Sequence, residues 1–194
     1  MSDPQRSVAE RIASEYYDST DADRFYEEVW GGEDIHIGLY ASETEAIAQA
    51  SQRTVSALMD LMGALSPGAT VVDFGSGYGG AARRLAKELG VRVEAINISA
   101  VENSRHRQLN QSAKLQDLIR VHDASFEDVP LAESCADVVW SQDAILHSGN
   151  RQQVLQEAAR LLKPGGVFVL TDPMAADGID PASLSAILER IHLP

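Results

Sequence analysis

The chain has 194 residues, 44% hydrophobic and 23% charged, and its sixteen Lys and Arg against twenty-nine Asp and Glu leave a net charge of -13. That length supports one domain with a substantial core, and the acidic balance disfavours a phosphate backbone, so no nucleic-acid partner is expected. No apolar run approaches the ~20 residues of a membrane helix, the N-terminus lacks the blocks of a signal peptide, and the single Cys135 can close no internal disulfide, which together predict a cytoplasmic protein without a membrane partner.

The first forty residues are polar and carry most of the aromatic side chains, among them Tyr16, Tyr17, Tyr26, Trp30 and Tyr40. After them helix and strand alternate. The spacing predicts a helix over Ser51 to Leu65, with Val55, Leu58, Met59, Leu61 and Met62 as its apolar stripe, stopped by Pro67-Gly68. A short strand, Thr70 to Phe74, leads into a helix from Gly79 to Leu89, closed by Gly90. Val91 to Ile96 reads as a second strand, Val101 to Lys114 as a helix, Ile119 to His122 and Ala136 to Trp140 as further strands. A helix from Gln152 to Leu162, the turn Lys163-Pro164-Gly165-Gly166, a strand from Val167 to Thr171 and a helix from Pro181 to Ile191 complete the pattern. This alternation predicts an α/β fold, a parallel sheet with helices on both faces. Ligands of such sheets bind outside the carboxyl ends of the strands, so Gly75 to Gly80, Asn97-Ile98-Ser99, Asp123-Ala124-Ser125 and Ser141-Gln142-Asp143 are the first places to look.

Gly75, Gly77 and Gly79 follow the first strand and open a helix. Such a loop lets backbone approach a ligand closely and offers free N–H groups, although a plain tight turn would use the same residues. A phosphate loop needs Lys and Ser or Thr at its end, where Gly80-Ala81-Ala82 stands. A dinucleotide loop needs Gly-x-Gly-x-x-Gly, one residue wider than the spacing here. Asp73, at the strand's end, would oppose a pyrophosphate but suit a ligand with an ammonium group, such as S-adenosylmethionine.

The run Val71-Val72-Asp73-Phe74-Gly75-Ser76-Gly77-Tyr78-Gly79-Gly80 resembles the first motif of the class I S-adenosylmethionine-dependent methyltransferases. Leu161-Leu162-Lys163-Pro164-Gly165-Gly166 resembles the turn before their fifth strand, and Asp123-Ala124 their adenine-contacting segment. Three stretches narrow the likeness: residues 25–38, residues 97–103 and Ser141-Gln142-Asp143-Ala144-Ile145-Leu146-His147 are similar to the sarcosine/dimethylglycine N-methyltransferases that make betaine, and the last also to the phosphoethanolamine methyltransferases. The resemblance implies a Rossmann-like fold, S-adenosyl-L-methionine as cofactor, and N-methylation of a small-molecule amine. It implies cofactor contacts at Asp73, Gly75, Ser76, Gly77, Asn97, Ile98, Asp123, Ala124, Ser125, Gln142 and Asp143. Asn97 stands where the family usually has an acid for the ribose hydroxyls, and its amide can both donate and accept.

Transfer to an amine needs a neutral, aligned nucleophile. His147, just past the fourth strand, suits proton transfer near neutrality, though a rim histidine with a structural hydrogen bond is the alternative. The phosphoethanolamine methyltransferases pair the matching histidine with an N-terminal tyrosine, which points to Tyr17 or Tyr16 and makes His147 and Tyr17 the catalytic candidates. Tyr26 and Trp30, with Gln142 and His147, are the substrate-binding candidates, because aromatic faces attract sulfonium and methylated ammonium groups; packing a helix onto the core is the other reading of those rings. A substrate carboxylate calls for an arginine, Arg105, Arg107 or Arg190. Glu33, Asp34 and His36 do not make a convincing metal site, and no metal is expected.

The expected organisation is an N-terminal helical lid over 1–45, a cofactor-binding core over 46–173 and, over 174–194, the start of a substrate-side insertion. The resemblance implies a seven-stranded sheet, so this chain is expected to stop before the last two strands. An open sheet edge would permit a homo-oligomer. The same consideration leaves a non-catalytic cofactor- or partner-binding protein as the rival from another class.

Overall fold

The computed structural model describes residues 7–19 and 33–190. Helix α1, Val8–Tyr17, starts at a capping box: the Ser7 hydroxyl accepts from the Glu10 N–H, and the Glu10 carboxylate accepts from the Ser7 N–H. Helix α2, Ile47–Met62, begins four residues earlier than its apolar stripe suggests and ends at Gly63, whose φ of 77° suits glycine. It buries Ser51, Thr54, Val55, Leu58 and Met62, while Leu61, expected in the stripe, is 72% exposed. Residues 51, 55, 58 and 62 repeat at four, three and four, which turns position 61 away from the core.

The remaining elements are β1 (Thr70–Phe74), α3 (Gly80–Leu89), β2 (Arg92–Asn97), α4 (Ala100–Ser112), β3 (Ile119–Asp123), β4 (Ala136–Gln142), a 3₁₀ turn (Ile145–His147), α5 (Arg151–Leu161), β5 (Leu162–Thr171) and α6 (Pro181–Arg190). The five strands form one parallel sheet in the order β3-β2-β1-β4-β5. Neighbours in a strand point to opposite faces, so Val71 enters a core with Val55, Leu58, Leu85 and Trp140, and Val72 enters another with Ile96, Val139, Val154 and Leu161. Both faces are therefore covered, which is what a parallel sheet requires.

Lys163 to Gly166 is a bulge rather than a turn ahead of the strand. Ala136 pairs with Leu162 and Val138 with Val167, leaving the residues between them opposite Asp137. Gly165 takes a φ of 81°, and Lys163 Nζ and the Thr70 N–H both reach Asp137 Oδ2 at 2.8 Å, which ties the bulge to the start of β1. The strand order reverses at β1, between β2 and β4, so the crevice lies at the carboxyl ends of these three strands. Among the described residues no helix is long and apolar enough to cross a membrane.

Candidate active site

Gly75, Gly77 and Gly79 all have positive φ, 73°, 49° and 79°. The Gly75 and Ser76 N–H groups donate to the Ile96 carbonyl at 2.8 and 3.2 Å, which fastens the loop to the end of β2. A Cβ on Gly75 would lie 2.3 Å from that of Ala144, and one on Gly79 only 1.9 Å from Nε2 of the fully buried His106. At Gly75 and Gly79 the loop is thus pressed against the β4 end and α4, with no room for a side chain. Residues 33–39 cross it as a strap: Gly80 N–H donates to the Glu33 carbonyl at 3.2 Å, Ile35 lies against Gly77, and the Ile37 N–H donates to Asp143 Oδ2 at 2.5 Å.

Beside the loop opens a cleft of about 650 Å³, part of it open to solvent, walled by α1, the strap and the ends of β1, β2 and β4. Gly75, Gly77, Asn97, Ile98, Ser125, Gln142, Asp143, His147 and Tyr17 all line it, so most of the residues expected from sequence converge there. Asp73 and Ser76 instead line a small adjoining pocket under the strap, with Asp34, His36 and Gln142. Burial pushes the Asp73 carboxyl up to about 7; nearby His36 opposes that shift and Asp34 adds to it. Trp140 Nε1 donates to Gln142 Oε1 at 3.0 Å, which orients the amide and leaves the buried Nε2 without a partner. Ser76 Oγ and Asp34 Oδ1 are likewise buried without a hydrogen bond.

Tyr17 Oη and His147 Nε2 lie 3.0 Å apart with their rings edge to face. Of the two tyrosines considered as partner, Tyr17 makes the contact and Tyr16 packs against Tyr17 from outside. Burial lowers the His147 pKa to about 4, so the imidazole is neutral near pH 7.

Other expected positions fall outside the cleft wall. Asp123 is half exposed; Arg107 and Asn103 hold its carboxylate, and they outweigh burial to keep its pKa below the usual value. Ala124 packs against the second core cluster. Arg105 stacks over the Tyr78 ring at 4.7 Å and Arg107 is spent on Asp123 and the Val121 carbonyl, so neither faces the cleft. Tyr40 is exposed, and among the described aromatics of the first forty residues only Tyr17 reaches the cleft. Tyr26, Trp30 and the Arg190 side chain lie outside the described residues.

Residues 72–170 match the family described as Methyltransferase domain. The chain is 66% identical over 187 residues to a dimethylglycine N-methyltransferase of Parasynechococcus marenigrum, covering 96% of this chain and 67% of that protein. It is 52% identical over 181 residues to a sarcosine/dimethylglycine N-methyltransferase of Aphanothece halophytica, covering 93% and 65%. A solved structure from Galdieria sulphuraria, provisionally assigned as a sarcosine dimethylglycine methyltransferase, superposes with a TM-score of 0.83 at 47% identity, over 89% of this chain and 67% of that one. The chain belongs to the class I S-adenosylmethionine-dependent methyltransferases. It spans about two thirds of the length of these relatives.

The methyltransferase cleft also contains residues that the motifs did not single out. Glu102, in the first turn of α4, lines it and accepts from Asn97 Nδ2 at 2.9 Å. A carboxylate thus stands beside the position where the family's usual acid is missing, displaced five residues onto the helix. Glu10 and Glu127 add two more, the latter accepting from the Ser148 hydroxyl at 2.6 Å. The Ser7-x-x-Glu10 spacing was a readable signal for α1, but nothing local announces that Glu10 faces a ligand cleft.

Proposed function

We propose that this chain binds S-adenosylmethionine across the ends of β1, β2 and β4 and methylates a small amine, sarcosine or dimethylglycine, to form betaine in the cytoplasm. The observation that carries the reading is the charge of the cleft. Glu10, Glu102, Glu127 and Asp143 line it, and no lysine or arginine does among the described residues. A wall of carboxylates attracts cations and repels phosphates, which favours a ligand's sulfonium or ammonium group over a nucleotide diphosphate. The names of the relatives agree with this substrate class.

The residues present fit the cofactor. Gly75 and Gly77 leave a cradle that side chains would fill. The pocket under the strap offers acids, Asp34 and Asp73, and the unpartnered donors Ser76 Oγ and Gln142 Nε2, a set that matches an amino-acid end bearing both charges. Asn97 and Glu102 offer a donor and an acceptor suited to ribose hydroxyls. When bound, S-adenosylmethionine supplies an electrophilic methyl group on a positively charged sulfur.

The chain's own residues then have to align the amine and keep its lone pair free. Alkylammonium groups titrate near the lysine value of about 10, far above His147. His147 is therefore a poor store for the amine's proton, and its fitting role is that of a neutral acceptor. It accepts from the Tyr17 hydroxyl and fixes that oxygen in the cleft; the substrate ammonium gives its proton to solvent before attack, and the carboxylates stabilise the cationic product. Residues 1–45, with α1 and the strap, act as the lid over this site. The core is 46–173.

Calorimetric titration with S-adenosylhomocysteine, followed by methyl-transfer assays over glycine, sarcosine, dimethylglycine and phosphoethanolamine, tests the reading. Binding with turnover of sarcosine or dimethylglycine is expected. Preference for phosphoethanolamine would overturn the substrate class, and binding without turnover of any amine would favour the non-catalytic rival.

A further inference from the structure

Two adjacent residues at the end of α1 reach opposite walls of the cleft. Tyr17 meets His147 on the β4 side. Asp18 turns to the β2 side, where its Oδ1 accepts from Ser99 Oγ at 2.7 Å and from the Val101 N–H at 3.3 Å, both at the N-terminus of α4. Its other oxygen accepts from Ser14 Oγ at 3.2 Å, which fixes the carboxylate against α1. The Ser99 hydroxyl donates to Asp18 while accepting from the Glu102 N–H at 3.1 Å, and Glu102 in turn holds Asn97. A carboxylate is favoured at such a helix start, where free N–H groups and the helix dipole point at it.

Helix α1 is shallowly buried. Its buried residues are Ala9 and Ser14, and Val8, Ile12 and Tyr16 on its outer side are exposed. Polar contacts, those of Asp18 and Tyr17 among them, therefore contribute to its position. Its inner side, Glu10, Ala13 and Tyr17, forms one wall of the cleft.

We propose that Asp18 is a positioning residue for methyl transfer: it clips α1 to the N-terminus of α4, so that the Tyr17–His147 pair assembles together with the Asn97–Glu102 wall. The inference rests on the cofactor site proposed above. Because the clip and that wall share Ser99 and Glu102, a ligand that orders the wall also orders α1.

The test uses the full natural chain with Asp18→Ala and Asp18→Asn. It measures S-adenosylhomocysteine affinity by calorimetry, amide hydrogen exchange over 8–17 with and without that ligand, and kcat and KM for the amine. In the unmutated protein the ligand is expected to slow exchange over 8–17. Asp18→Ala should lose that protection, bind the ligand about threefold to tenfold more weakly, the loss typical of a removed helix cap, and lower kcat. Asp18→Asn keeps an oxygen that can accept from Ser99 and Val101 and should stay within about twofold of the parent. Unchanged affinity and unchanged protection in Asp18→Ala would overturn the proposal. Should the parent bind no S-adenosylhomocysteine, the cofactor reading fails on its own. Exchange of 8–17 in the ligand-free proteins still judges the clip: faster in Asp18→Ala supports it, equal refutes it.

Discussion

Replacing Gly79 with alanine isolates the packing that shapes the glycine loop. Gly79 caps α3 in the left-handed region at φ 79°, and a Cβ there would sit 1.9, 2.3 and 2.4 Å from three atoms of the His106 ring. That ring is fully buried, so it has no solvent to swing into. Left-handed backbone costs a non-glycine residue about 1–2 kcal/mol, and forcing an extra carbon into a packed core costs about 1–3 kcal/mol. Gly79→Ala should therefore lose about 2–5 kcal/mol. In a domain of this size that is a fall in Tm of roughly 5–15 °C. Urea denaturation followed by circular dichroism gives the number, and S-adenosylhomocysteine titration of the folded variant should show weaker binding. In a His106→Ala background the clash disappears while the backbone strain stays, so the same substitution should cost only about 1–2 kcal/mol. A loss below about 1 kcal/mol in the parent, or an equal loss in both backgrounds, would refute the reasoning.

Other perturbations probe charge and chemistry. With its pKa raised to about 7, Asp73 becomes ionised only as pH climbs through neutrality; affinity for the ammonium-bearing S-adenosylhomocysteine should rise between about pH 6 and 8, and a flat calorimetric profile, or one unchanged in Asp73→Asn, would contradict this. His147 and His106 titrate near 4 and 3 in the fold against 6.5 for a free imidazole. Their depressed values mean stability is fully present above pH 6.5 and is lost as pH falls through 6.5 toward 4, so the urea midpoint should drop over that window and drop less in His147→Gln. Tyr17→Phe and His147→Ala should each lower kcat for the amine by about 10²-fold, the scale of a lost alignment, with S-adenosylhomocysteine affinity little changed. Full turnover in both would remove the pair from the mechanism.

Much of the fold was legible because its signals are local. Glycines at 75, 77 and 79 after a β-branched strand announce a tight loop at a strand's end, and all three do take positive φ. Helix–strand alternation predicts the parallel sheet, and the order β3-β2-β1-β4-β5 puts residues after β1, β2 and β4 together. Boundaries moved where an end depends on neighbours: Lys163 to Gly166 joined β5 as a bulge because Asp137 across the ladder holds Lys163. Leu61 left the expected stripe because a helix buries only the side that meets the sheet.

The candidate site divides in the same way. Which atoms bear chemistry is a property of the chain: Asn97, Gln142, Asp143 and His147 could each be named from their motifs, and Tyr17 or Tyr16 from the family resemblance. Which of them share a cleft is decided by contacts across long separations: Tyr17 with His147, Asp18 with Ser99, Ile37 with Asp143. Tertiary contacts also pair Asp123 with Arg107 and place Glu102 beside the residue that replaced the expected acid. Sequence alone thus determined the fold class and the chemical inventory, because periodicity and turn residues act over a few positions. Only the tertiary structure decided partnership, burial and charge state, because those depend on which distant groups close packing brings within hydrogen-bond reach.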